Sequence, residues 1–318
     1  MGNLNIVMLD TATLGSDIEY SCFEQIGKVT AFDKTEPEKV SENIKNADVV
    51  IVNKIKLNRE NLCDAKNLKL ICVTATGYDN IDTAYCRDNN IGVCNVEGYS
   101  SESVAQVTMA MALSLLNNIT LFDRFVKCGD YTKSGTQNRV EPVFHELSTL
   151  TWGVIGLGNI GKKTADMAKA LGFSVLAHKR TFESGYNCVE LSELLEKSDV
   201  ISVHVPLTDS TRAMIGEKEI TKMKRTAVLI NVARGAVVDE NALTNAILEN
   251  RLGGLGIDVY DGEPLSQNSP YNKLAGLDNV ILTPHMAWAA YESRMRCMSE
   301  IALNIKAFHN GERRNRVE

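Results

Sequence analysis

Six consecutive residues constrain this chain more than any others. Gly156-Leu157-Gly158-Asn159-Ile160-Gly161 follows directly on the apolar run Val154-Ile155 and leads into a segment of helical character, Lys162 to Leu171. Gly156 permits a tight turn at the end of a strand, Gly158 lets backbone approach a pyrophosphate, and Gly161 lets helix and strand pack closely. The helix N-terminus then presents N–H donors to the anion. A glycine triplet alone is a weak signal. This one has the strand before it and the helix after it that the mechanism requires, so residues Gly156 to Gly161 read as a dinucleotide-binding turn.

Such a turn belongs to a parallel sheet, and the chain supplies the strands. From Trp152 onward, apolar runs recur at Phe173 to Ala177, Val200 to Val205, Ala227 to Asn231, Gly254 to Val259 and Val280 to Thr283. With the first, these six fit a complete doubly wound sheet. A separate alternation precedes it: Leu4 to Leu9, Val29 to Phe32, Asp48 to Val52, Leu70 to Val73 and Ile91 to Val93 are spaced by polar segments of helical length. Two domains suit 318 residues of which 44% are hydrophobic. Residues 101 to 116 place Val104, Val107, Met111 and Leu115 at helical spacing, with Ser101 as candidate N-cap. Residues 121 to 149 show no clear period and read as an irregular excursion. Tyr291 to His309 has the spacing of an amphipathic helix that cannot pack alone and is expected to return to the first domain.

Charge and composition exclude several classes. There are 34 Lys plus Arg against 40 Asp plus Glu, a formal charge of -6, with no block of five like charges, which disfavours a nucleic-acid partner. No apolar run approaches the ~18 residues of a membrane span. Met1-Gly2-Asn3 enters a strand-like segment without the features of a signal peptide, so a cytoplasmic protein with no membrane association is expected. Eight cysteines occur without C-x-x-C or a histidine spacing suited to zinc, so they read as buried reduced thiols and no metal is expected.

An NAD site usually places an acidic residue at the end of the second strand to bind the ribose hydroxyls. Here Val175-Leu176-Ala177 is followed by His178-Lys179-Arg180, with two cations where the carboxylate would stand. Lys179 and Arg180 would attract a 2'-phosphate, which tilts the expectation from NAD(H) toward NADP(H). A solvated basic turn with NAD(H) bound is the alternative.

Three later strands each end in residues able to do chemistry: Asn231-Val232-Ala233-Arg234-Gly235, Asp258-Val259-Tyr260-Asp261-Gly262-Glu263-Pro264 and Thr283-Pro284-His285. Carboxyl ends of strands face the ligand crevice of an open α/β sheet, so these side chains are expected to converge beside the cofactor. Reducing a 2-oxo acid needs an anchor for the carboxylate, hydride from a nicotinamide and a proton for the alkoxide. An arginine suits the first, and a histidine held by a carboxylate the third.

Together with His204-Val205-Pro206-Leu207-Thr208, these segments resemble the D-isomer specific 2-hydroxyacid dehydrogenase family, over nearly the whole chain. Within it, Thr74 to Asp82 and Asn95 to Ala105 are similar to the glycerate dehydrogenases, also called hydroxypyruvate reductases. The resemblance implies an α/β fold of two doubly wound parallel-sheet domains. Residues 1–100 and 288–318 would form a flavodoxin-like substrate domain, 101–287 a Rossmann NAD(P)-binding domain, and 101 to 150 the joint of a homodimer.

Carried over residue by residue, Arg234 would bind the substrate carboxylate, His285 would be the acid or base and Glu263 its partner. Asp258 would meet the nicotinamide carboxamide, with Val205, Pro206 and Ala233 also at the cofactor. Asn53, Lys54 and the backbone of Thr76 and Gly77 would bind substrate. Trp288, three residues after His285 at the start of the next helix, would limit substrate size. The chain departs from the family in carrying Val107 where a histidine is frequent and in lacking the acidic ribose binder. The implied activity is reduction of hydroxypyruvate or glyoxylate by NAD(P)H. A D-lactate or other D-2-hydroxyacid dehydrogenase stays open, as does a nucleotide-sensing corepressor-like scaffold.

Overall fold

Runs of β-branched residues with no polar member, such as Val49-Val50-Ile51-Val52, suit strands buried on both faces, and that is how they fold. The computed structural model describes residues 4–181 and 183–318, so the reading of Met1-Gly2-Asn3 falls outside the described residues. The chain divides into two compact units, one containing the residues up to Ser100 together with Ala289–Glu318, the other Ser101–Trp288.

The first unit holds a five-stranded parallel sheet of β1 (Leu4–Met8), β2 (Gly27–Ala31), β3 (Val49–Val52), β4 (Leu70–Val73) and β5 (Gly92–Cys94), in the order β2-β1-β3-β4-β5. The order reverses between β1 and β3, so the loops after these strands form the crevice where ligands bind in such sheets. Helix Tyr291–His309 packs against β4 and buries Cys297, Met298, Ile301 and Ile305. A feature absent from the sequence reading closes the sheet: Asn95 N–H donates to the Asn315 carbonyl and Val317 N–H to the Val93 carbonyl, so the last residues run antiparallel along the outer edge of β5. Covering an edge in this way removes a surface that would otherwise pair with another chain.

The second unit holds β6 (Thr151–Ile155), β7 (Ser174–His178), β8 (Val200–Val203), β9 (Val228–Asn231), β10 (Gly254–Ile257) and β11 (Val280–Leu282), all parallel, in the order β11-β10-β9-β8-β6-β7. Ala177 also exchanges hydrogen bonds with Asn187 and Val189, adding a rudimentary strand outside β7. The switch point lies between β6 and β8, at the glycine turn and the His204-Val205-Pro206 segment. On β6, Trp152 is fully buried, donates its indole N–H to Ser202 Oγ at 2.9 Å and meets Phe173 edge-on. Helix Ser101–Leu116 lies across helix Asn159–Ala170 and strands β9 and β10, burying Val104, Met111 and Leu115 but leaving Val107 half-buried.

Three expectations are corrected. The stretch read as irregular contains helices Ile119–Lys127 and Asp130–Ser134; reading from residue 121 cut the apolar stripe of Ile119, Phe122 and Val126 at its start. Cys63 and Cys128 are exposed, while Cys72, Cys86, Cys94 and Cys297 are buried. Trp288 belongs to the second unit, where its ring packs beside Ala287 against the core that includes Val104 and Trp152.

Candidate active site

The three glycines of the turn have distinct local reasons. Gly156 has φ +97°, and a Cβ there would lie 2.8 Å from Val205 Cγ1 and 2.9 Å from the His204 carbonyl. A Cβ on Gly161 would stand 1.8 Å from the Gly156 carbonyl oxygen. A Cβ on Gly158 would meet nothing within 4 Å, so this face of the turn is open to a ligand. Gly158 is also the N-cap of helix Asn159–Ala170, and no side chain caps that helix. Uncapped N–H donors beside an open glycine face fit the pyrophosphate of a dinucleotide. Leu157 and Ile160 turn their side chains into the core, which leaves only their backbone for the cofactor.

The basic turn after β7 differs from its sequence reading. Arg180 is exposed, but Lys179 donates to Glu183, which also accepts from Lys162 Nζ at 2.5 Å. The two lysines push the Glu183 carboxyl down to about 2, so it is an anion at neutral pH. Of the two cations expected to attract a 2'-phosphate, Lys179 is thus compensated. Glu183 was missed because it lies five residues beyond the strand and returns only through the fold.

At the carboxyl ends of β9, β10 and β11 the expected convergence is present for one pair. His285 Nδ1 lies 2.8 and 2.7 Å from the two oxygens of Glu263. A carboxylate accepts only, so Nδ1 carries the proton of this hydrogen bond. His285 has φ +54°, a conformation uncommon for a residue with a Cβ and found preferentially at functional sites.

Asp258 holds this turn in place. Its carboxylate is 1% exposed and accepts from Thr283 Oγ1 at 2.6 Å and from the N–H groups of Met286 and Ala287 at 2.9 Å each. In the structure Asp258 is therefore an anchor for the segment that carries His285. Tyr260 adds a bond from its hydroxyl to the Thr283 carbonyl at 2.8 Å; burial pushes this phenol up to about 12, which keeps it a neutral donor.

Arg234 stands on a turn held by Asn231, whose side chain donates to the Arg234 carbonyl at 2.9 Å and accepts from Ala233 N–H at 3.1 Å. The next residue must be glycine: a Cβ on Gly235 would lie 2.0 Å from the Tyr260 carbonyl carbon. That contact brings the Arg234 turn against the segment leading to Glu263. Val205 and Pro206 follow β8 beside the glycine turn. Trp288 lies in a turn three residues before helix Tyr291–His309, so the spacing argument that placed it over the pocket from a helix does not hold.

In the first unit Asn53 is buried and Lys54 exposed, just beyond β3. Asp10, which the sequence reading passed over, accepts the N–H groups of Asn53 at 2.9 Å, Lys54 at 2.6 Å and Ile55 at 3.3 Å. Asn80 Nδ2 donates to the carbonyls of Asn53 and Ile55 on the other side. Burial raises the Asp10 carboxyl above its ordinary range, and the backbone donors oppose that rise. The Thr76 side chain and carbonyl are bonded to Val96 and Asn95, while the N–H groups of Thr76 and Gly77 have no acceptor among the described residues.

Comparison with known proteins decides the family. The D-isomer specific 2-hydroxyacid dehydrogenase NAD-binding domain matches residues 109–287. A glycerate dehydrogenase of Methylorubrum extorquens is 36% identical over 313 residues, covering 98% of each chain. The chain belongs to the D-isomer specific 2-hydroxyacid dehydrogenase family. A hydroxypyruvate reductase of Blautia hydrogenotrophica is 33% identical over 317 residues, covering 97% of this chain and 98% of that one. The crystal structure of an Aquifex aeolicus D-lactate dehydrogenase complexed with NAD and lactic acid is 33% identical, with a TM-score of 0.86 over 97% of this chain and 96% of that one. The protein is thus an oxidoreductase that uses a nicotinamide cofactor.

Proposed function

We propose that this dehydrogenase reduces a small 2-oxo acid, hydroxypyruvate or glyoxylate, to the corresponding 2-hydroxy acid. The observation that carries the reading is the Glu263–His285 pair on a strained turn anchored by Asp258. The nicotinamide dinucleotide, when bound, supplies hydride to the oxo carbon. Arg234 holds the substrate carboxylate and polarises the oxo group by a charge-assisted fork. His285, as the imidazolium that Glu263 stabilises through the Nδ1–H bond, delivers a proton from Nε2 to the oxygen as negative charge develops there, and the neutral ring left behind takes the proton back in the reverse direction.

In the first unit we assign substrate recognition to Asn53, Lys54 and the unaccepted N–H groups of Thr76 and Gly77. In the second, Gly156 to Gly161, Val205, Pro206 and Ala233 form the cofactor cradle, and Asp258 keeps acceptor capacity for a carboxamide while it holds the turn. The names of the relatives support the substrate class. The exposed Ile119, Val126, Val140, Val143 and Phe144 support a homodimer joined through the 101 to 150 region. NADP(H) and NAD(H) both suit the cradle, with exposed Arg180 available to a 2'-phosphate.

Steady-state rates for hydroxypyruvate, glyoxylate and pyruvate, each with NADH and NADPH, test the reading. The first two substrates are expected to exceed pyruvate in kcat/KM. A preference for pyruvate moves the chain to the D-lactate class, and dinucleotide binding without turnover on any of the three favours a sensing scaffold.

A further inference from the structure

The charged cluster after β7 bears on coenzyme choice. Glu183 Oε1 accepts from Lys162 Nζ at 2.5 Å, and Oε2 accepts from Lys179 Nζ. These are not fully solvated pairs, since the three side chains are between 25% and 39% exposed. Lys162 directly follows the last glycine of the dinucleotide turn, and Lys179 directly follows the last residue of β7, the strand end at which dinucleotide folds read the adenosine ribose. The residues there that attract an anion therefore already hold one.

We propose that Glu183 is the coenzyme selector of this chain, an internal anion that occupies the Lys162–Lys179 cation pair a 2'-phosphate would need, and so favours NAD(H) over NADP(H). The inference rests on the reading of Gly156 to Gly161 as a dinucleotide cradle. A 2'-phosphate carries more charge than a carboxylate and has three acceptor oxygens. To gain Lys162 and Lys179 it must displace Glu183, leaving an unpaired carboxylate close to a phosphate, and both the displacement and the repulsion count against NADP(H). The ribose hydroxyl of NAD(H) makes no such demand. Arg180 remains as a single exposed cation for the phosphate, too little to reverse the order.

Direct binding separates this from catalysis. Calorimetric titration of the whole protein with NADH, NADPH, AMP and adenosine 2',5'-bisphosphate should show the wild type binding NADH more tightly than NADPH. In Glu183→Gln the NADPH-to-NADH affinity ratio should rise by about tenfold or more, as expected when two cations are released to a phosphate. The bisphosphate should gain over AMP in parallel, and adding Lys179→Met should cancel both gains. A second variant, Glu183→Ala, should behave like Glu183→Gln. A wild type that prefers NADPH, or a ratio unmoved by either Glu183 variant, overturns the proposal while leaving the cradle intact. A wild type that binds neither dinucleotide overturns the cradle reading itself.

Discussion

Two buried aspartates, one in each unit, perform the same task on unlike segments. Asp10 lies beyond β1 and takes three N–H groups from residues 53–55 beyond the neighbouring β3. Asp258 lies beyond β10 and takes the Thr283 hydroxyl and the N–H groups of Met286 and Ala287 beyond the neighbouring β11. Parallel neighbours have no hairpin to tie their carboxyl ends together, so a short acceptor side chain on one strand can fix the loop of the next. The difference is in what is held. Residues 53–55 adopt no positive φ, whereas the segment under Asp258 carries His285 at φ +54°. One carboxylate steadies a relaxed loop, proposed above to bind substrate; the other maintains a strained turn that carries the proposed proton donor.

The largest effect should come from the residue at the centre of the strained turn. His285→Ala is expected to lower turnover by ~10²- to 10⁴-fold with dinucleotide affinity largely kept, the range for losing a general acid. Pre-steady-state turnover and NADH titration measure the two separately. Unchanged turnover would remove the reason for treating the two turns as different in kind.

The aspartates themselves give the next test. Asp258→Ala frees the His285 turn, and misplacing a catalytic group by about 1 Å costs on the order of 10²-fold, so the loss should appear in kcat. Asp10→Ala should act on substrate handling instead, raising KM for the 2-oxo acid by roughly tenfold, the worth of one or two hydrogen bonds to the substrate. If both variants change kcat and KM in the same proportion, the contrast between a binding loop and a catalytic turn is broken.

A third buried polar group sharpens the comparison from the other side. Both ring nitrogens of His204 are buried without a hydrogen-bond partner among the described residues, and burial pushes its pKa down from 6.5 to about 3. The folded state therefore resists protonation that the unfolded chain accepts. Stability from this neutral ring is complete above about pH 6.5 and is lost progressively as pH falls toward 3. Urea unfolding at pH 7.5 and pH 4.5 should show a smaller acid loss for His204→Asn than for the wild type. Equal losses would mean that His204 finds a partner in the fold, as Asp10 and Asp258 do.

Much of this was legible in the sequence because each signal was local. Parallel strands buried on both faces write themselves as apolar runs, and the glycine turn carries its own strand and helix. His285 and Glu263 are separated by 22 residues and lie in the loops beyond neighbouring strands, which puts both at the same end of the sheet, while their pairing is what the family resemblance implies. Glu183, Asp10 and the edge-covering Asn315 to Val317 could not be, because each acts on a partner brought near only by packing. The stripe of Ile119, Phe122 and Val126 is local too, but a segment begun at residue 121 omits its first member.

The sequence by itself determined the two parallel sheets, the glycine turn and the residue types available beyond the strand ends, since these depend on periodicity and on side-chain chemistry over a few neighbours. Only the tertiary structure decided which charges are compensated and which backbone groups are held. Lys179 reads as a free cation until the chain returns Glu183 to it, and Asp258 gains the Thr283 hydroxyl and the Met286 and Ala287 N–H groups only when β11 is laid beside β10. Electrostatic and hydrogen-bond partnership depends on distances of a few ångströms, and for residues separated along the chain the fold alone sets those distances.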